Sequence, residues 1–180
     1  MRRLVRRDLA RILDHAAIGE VRLACAGDRT RYTYEYELEA EIASGLRKRG
    51  ASGHSFEPIV AGGKRACTLH NVANEGPLAN DELVVLDVGA EYQHYAADIT
   101  RTIALQEPTQ RQQDVYAAVL DVQQYAASLL KPGVDLRAYE EKVAQYMFGA
   151  LKSLKLTKSK DDIRTYFPHA TSHYLGLNVH

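Results

Sequence analysis

The chain is short of cysteine, has no excess charge of either sign and contains no long apolar run, and each lack removes a class of protein. Cys25 and Cys67 are the two cysteines of 180 residues and neither stands in a CxxC pair. A disulfide framework is therefore excluded, and reduced thiols in a cytoplasmic setting are expected. The 23 basic side chains are balanced by 23 acidic ones, so no long-range field gathers nucleic acid or an anionic membrane. No apolar stretch approaches the roughly 20 residues of a spanning helix, and none follows the first arginines as a secretory signal requires. The start is basic, with Arg2, Arg3, Arg6, Arg7 and Arg11, but Asp8 and Asp14 interrupt it and serine is missing. It reads as a surface helix rather than a transit segment.

What is present is ordinary globular chemistry: 46% apolar and 26% charged residues in a length that favours one domain with a real core. Apolar residues recur at helical spacing from Leu4 to Ala26. A second helix is expected from an N-cap at Thr33 to about Arg49, with Leu38, Ile42 and Leu46 inward, Gly50 at the C-terminal turn, and Glu35, Glu37, Glu39 and Glu41 as a solvated face. Phe56 to Ala61, Ala66 to His70 and Leu83 to Val88 read as short strands separated by Gly62-Gly63 and Gly76-Pro77. Thr109-x-x-Gln112 is a capping box opening a third helix along Val115, Val119, Val122, Ala126 and Leu130. After Lys131-Pro132-Gly133, Asp135 caps a fourth along Leu136, Tyr139, Val143, Met147, Ala150 and Leu154. Helices flanking a β-rich middle make the class α+β.

The run Leu83 to Thr102 reads as a hairpin. With its turn between Tyr92 and Gln93, Asp87 lies opposite Asp98, and two carboxylates converge among Leu86, Val88 and Ile99. Both cannot stay ionised there without a cation or a shared proton. A divalent metal resolves the conflict; so does Arg101, or a shifted register that sends one aspartate to solvent. The second cluster is Pro168 to His180, where His169, His173 and His180 crowd into the end of the chain, and His70 is a further candidate. Ala61-Gly62-Gly63-Lys64 fails as a phosphate loop because its first glycine is missing and Arg65 replaces the magnesium-binding hydroxyl. HExxH, GxSxG and GxGxxG are all absent.

In order along the chain, Ile59-Val60-Ala61-Gly62-Gly63, Thr68-Leu69-His70, Leu86-Asp87-Val88-Gly89-Ala90-Glu91-Tyr92, Tyr95-Ala96-Ala97-Asp98-Ile99-Thr100-Arg101-Thr102 and His169-Ala170-Thr171-Ser172-His173-Tyr174-Leu175-Gly176-Leu177 resemble aminopeptidase P of the M24 metallopeptidase family. The likeness runs from about Tyr34 to His180. It implies the pita-bread fold, a curved antiparallel sheet backed by helices in two pseudo-symmetric halves. It also implies a manganese-type dinuclear peptidase that removes the residue preceding proline from a peptide. By the resemblance Asp87 is the bidentate ligand of one metal, Asp98 bridges two and His173 ligates the second. His70 and His180 match positions that contact substrate and the developing tetrahedral centre, and His169 matches another active-site histidine.

The resemblance makes residues 1–180 part of a catalytic domain. The family's N-terminal domain, and the end of the catalytic domain with a metal-ligating general-base glutamate and a bridging glutamate, are not in this sequence. Asn178 stands where aspartate is common and Ala170 where glycine is common. Little turnover by this chain alone is therefore expected. The alternatives are Xaa-Pro dipeptidase and a non-catalytic binding module on the same fold. Leu136, Val143, Met147, Leu151, Leu154, Leu175 and Leu177 are expected to be partly uncovered, so that the chain self-associates into a homo-oligomer or is marginally folded.

Overall fold

The computed structural model describes residues 31–79 and 82–180. The expected helix over Leu4–Ala26, the basic start and Cys25 lie outside the described residues. The described chain divides into two compact units, one running up to Glu107 and joined by Tyr174–His180, the other Pro108–His173.

The first unit is a helix on bent antiparallel sheet. Helix α1 spans Glu35–Lys48, and its buried stripe is Leu38, Ile42 and Leu46, the spacing that puts side chains on one helical face. Its N-cap is Tyr34 rather than Thr33. The Glu37 carboxylate takes over the capping role by accepting from the Thr33 amide and, at 2.9 Å, from the Tyr34 amide. Gly50 follows the helix at φ +90°, the left-handed conformation that glycine supplies at a helix end. The strands are β1 Gly53–His54, β2 Ile59–Gly62, β3 Leu83–Val88, β4 Ala90–Tyr92, β5 Tyr95–Ala96 and β6 Ile99–Ala104. They form two three-stranded antiparallel sheets, ordered β1-β4-β5 and β2-β3-β6. Along β3 burial alternates, Val84, Leu86 and Val88 facing inward. These meet the stripe of α1, with Val60 and Ile103, in one core.

Two expectations are corrected here. Ala66–His70 is not a strand: Gly63–Cys67 is a 3-10 turn, entered through Gly63 at φ +53° and followed by His70 at φ +55°, backbone that no β ladder accommodates. The face of α1 is not uniformly solvated, because Glu35 is fully buried. Its carboxylate accepts from Gly62 N at 2.7 Å, Gly76 N at 2.8 Å and Arg65 Nε at 2.7 Å. Glu39 accepts from the amide of the buried Asn74 at 2.8 Å, and Asn74 accepts in turn from Val60 N.

The second unit is a helical hairpin. Helix α2, Gln110–Leu129, opens on the expected Thr109/Gln112 capping box, and α3, Leu136–Ser153, on Asp135, whose side chain accepts from the Ala138 amide. A 3-10 turn, Lys160–Asp162, and a short helix α4, Ile163–Tyr166, follow. The core comprises Val122, Ala126, Tyr139, Val143, Met147 and Leu151. Val143, Met147 and Leu151 are thus covered, contrary to expectation, while Leu136, Leu175 and Leu177 are exposed. Val119 and Leu130 of the expected α2 stripe are exposed as well. No described helix is long and apolar enough to cross a membrane.

Replacing Glu35 by Ala strands two amides and Arg65 without their acceptor. The expected loss in urea unfolding is about 3 kcal/mol or more, as for removal of one partner from a buried ion pair. Glu35→Gln keeps an acceptor oxygen and should lose distinctly less.

Candidate metal and substrate site

The geometry begins with the hairpin turn. Tyr92 pairs with Tyr95, and the two residues between them, Gln93 and His94, take φ +51° and +66°. This is the both-positive conformation that suits a two-residue hairpin, although Asn and Gly are its usual occupants. The turn is therefore one position later than expected. Its register runs unchanged into β3 and β6, where Asp87 pairs with Thr100 and Val88 with Ile99.

Asp98 therefore lies two residues before the partner of Asp87, on the same face and diagonally across, rather than directly opposite. Convergence survives because side chains alternate with a period of two. The same alternation puts Arg101 across from Leu86, on the other face from Asp87. Arg101 donates to Thr100 O at 2.8 Å.

The hairpin passes from one sheet to the other at Gly89 on one arm and Ala97-Asp98 on the other, the point termed its bend. A Cβ on Gly89 would stand 1.9 Å from the Ala97 carbonyl oxygen and 2.1 Å from Ser55 Oγ. Only glycine lets the arms approach this closely.

Asp87 is half-buried, and Thr100 Oγ1 donates to its Oδ1 at 2.9 Å. Burial raises its carboxyl above the ordinary value of 3.8. The Thr100 hydrogen bond opposes that rise, the charge of Asp98 and a hydrogen bond with it add to it, and the charge of His70 opposes it. Thus His70, exposed on its left-handed turn, is electrostatically in reach of Asp87. The tail Tyr174–His180 returns to the same unit: Ala96 N donates to Gly176 O at 2.8 Å, and Val179 is buried. It delivers His180, whose ring offers a ligand atom within 4.8 Å of an Asp98 carboxylate oxygen. Asp87, Asp98, His70 and His180 are therefore gathered in the first unit.

His169 and His173 belong to the helical unit and are exposed. They flank Thr171, whose amide and hydroxyl both donate to Glu140 of α3, at 3.0 and 2.9 Å. His173 is one peptide bond from the start of the tail. Sequence reasoning missed Thr100 and Ser55. Thr100 had a signal, standing two residues beyond Asp98 and so on its face; Ser55 had none.

The donor set suits a hard or borderline divalent ion, since carboxylate oxygens and imidazole nitrogens are offered without thiolate. Burial first, and the Asp98 charge after it, push the Asp87 carboxyl upward, and a cation at the pair would favour the ionised form.

Comparison with known proteins gives the family. The profile of metallopeptidase family M24 matches residues 7–180. The chain belongs to that family. It is 36% identical over 155 residues to Xaa-Pro aminopeptidase of Escherichia coli strain K12, covering 82% of this chain and 35% of that protein. It is 31% identical over 173 residues to Xaa-Pro dipeptidase of Pyrococcus furiosus, covering 94% of this chain and 44% of that one. Among solved structures, E. coli aminopeptidase P with the inhibitor Pro-Leu superimposes with a TM-score of 0.82 at 33% identity, over 96% of this chain and 40% of that one. Proline aminopeptidase P II from Yersinia pestis gives 0.81 at 33% identity, over 96% and 41%. The fold is the pita-bread α+β arrangement of those enzymes, and the chain spans less than half the length of these relatives.

In metal-free protein the raised Asp87 value has a definite sign. A carboxyl whose folded value exceeds its unfolded one gives stability that is full below the ordinary value and lost as pH rises through the raised one. The Asp87 contribution to the urea midpoint in chelator, read as native protein minus Asp87→Asn, should therefore fall from about pH 4 toward neutrality. Asp87→Asn should exceed the native protein at pH 7.

Proposed function

We propose that this chain carries the metal- and substrate-binding part of an M24 peptidase acting on Xaa-Pro peptides. In this reading Asp87, Asp98 and His173 hold two divalent ions, manganese by the family resemblance. His70, His169 and His180 serve the substrate. The observation that carries the reading is the convergence of Asp87 and Asp98 at the hairpin bend with the His180 ring beside them. The identity to Xaa-Pro aminopeptidases supports cleavage before proline. A dipeptidase reading has its own support in the Pyrococcus enzymes, 31% and 32% identical. A non-catalytic module is disfavoured because the aspartates and histidines of the resemblance are retained.

Ions bound here would supply Lewis acidity toward the scissile carbonyl and an acidified water. The chain's own contribution is placement. Asp87 and Asp98 offer fixed anionic oxygens, and the Thr100 hydroxyl orients one oxygen of Asp87 by donating to it. The exposed imidazoles of His70 and His180 can donate hydrogen bonds to the peptide or exchange a proton with it. The hydrogen bonds from Thr171 to Glu140 fix the segment bearing His169 and His173. A cytoplasmic location fits the reduced-thiol reading, and self-association fits the exposed Leu136, Leu175 and Leu177.

Titration calorimetry with manganese is the direct test. The native chain should give a weak binding isotherm, because the ligand set in these residues is incomplete, and Asp87→Ala should abolish it. No heat from the native chain would overturn the reading. The chain by itself should release little N-terminal residue from Xaa-Pro peptides even with manganese, and brisk release would contradict that part. Sedimentation velocity checks association, with a species heavier than the monomer expected.

A further inference from the structure

Asp87 and Asp98 sit on different arms of the hairpin, each beside the bend, so whatever sets the separation of the arms there sets the separation of the carboxylates. Gly89 lies two residues beyond Asp87, and Ala97 immediately precedes Asp98. One residue outside the hairpin is bonded to both. Ser55, which follows β1, donates its amide to the Gly89 carbonyl at 3.0 Å. It also donates its hydroxyl to the Ala97 carbonyl at 2.6 Å.

The strands' own bond at this level, Ala97 N to Ala90 O at 3.0 Å, uses the amide of Ala97 and leaves its carbonyl for Ser55. The Gly89 position is tight, with the Ala97 oxygen, Ser55 Oγ and Phe56 Cε1 all within 2.7 Å of where a Cβ would stand. The residue is half-buried and its hydroxyl has a fixed acceptor, so it is a structural tie and not a solvated serine.

We propose that Ser55 is a positioning residue for the metal pair: it clamps the two arms at the bend and thereby holds Asp87 and Asp98 at the spacing that two ions require. The inference rests on the metal-binding reading above. It assigns Ser55 no contact with ion or substrate. Its action is through the backbone that carries the ligands, where outer contacts typically alter metal affinity by about 10- to 100-fold.

Ser52 provides a matched control. It donates its hydroxyl to Glu91 O at 3.0 Å and to Glu91 Oε1 at 2.8 Å, tying the start of β1 to β4 away from the aspartates. Manganese titration of the full chain, by calorimetry and by electron paramagnetic resonance, should show Ser55→Ala weakened about tenfold. Ser52→Ala, which loses an exposed hydroxyl bond to β4, should stay within about twofold of native. Ser55→Thr, which keeps the hydroxyl, should recover most of the affinity. If Ser55→Ala does not fold, Ser55→Cys, close in size but a weak donor, takes its place in the same comparison.

Equal affinity for native and Ser55→Ala proteins would overturn the clamp, as would equal weakening by the Ser52 and Ser55 substitutions. Native protein that takes up no manganese would instead remove the metal-binding reading, and the clamp's role with it. The native titration alone tells the two failures apart.

Discussion

The carboxylate of Glu35 organises the first unit. A buried anion is costly unless its oxygens are satisfied, and here they accept from Gly62 N, Gly76 N and Arg65 Nε. Gly62 ends β2 and Gly76 closes the irregular stretch that follows, so one side chain pins both ends of the excursion carrying His70. Arg65 lies within the same excursion and also donates to Pro77 O. The path is held from inside as well as at its ends. That explains how an exposed histidine on a left-handed turn keeps a defined place beside Asp87 with little apolar burial of its own.

Much of this was legible in the residues, and the failures have physical causes. The Thr109/Gln112 box and the Asp135 cap were readable because capping depends on a few side chains close in sequence. The inward stripe of α1 was readable for the same local reason. Glu35 looked like one of four solvated acids, since nothing local distinguishes it from Glu37 or Glu41. Its partners come from loops far along the chain. Ala66–His70 has the apolar character of a strand, but Gly63 in the left-handed region turns the backbone away before it.

The site was partly legible. A turn at Gln93-His94 carries no Asn-Gly signal to distinguish it from one at Tyr92-Gln93. The error moved each pairing partner by two positions, which in a strand returns a side chain to the same face. Asp87 and Asp98 therefore converged despite the mistaken register, whereas a shift of one would have separated them. The histidine cluster was visible as a density of one residue type. The anchoring of its parts was not: the tail bearing His180 rejoins the sheet through Gly176, and Thr171, between His169 and His173, is held by Glu140.

The return of that tail also bears on the order in which the site is built. The bond from Ala96 to Gly176 closes a loop containing the whole helical hairpin, and loop closure over a long separation carries a large entropic cost before any contact rewards it. The β3–β6 pairing that brings the two aspartates together is local by comparison and can precede it. A chain in which only the β3–β6 pairing has formed therefore holds the two carboxylates without the His180 ring beside them. Docking of Val179 then adds that ring, so the sheet gathers its donors in steps rather than at once.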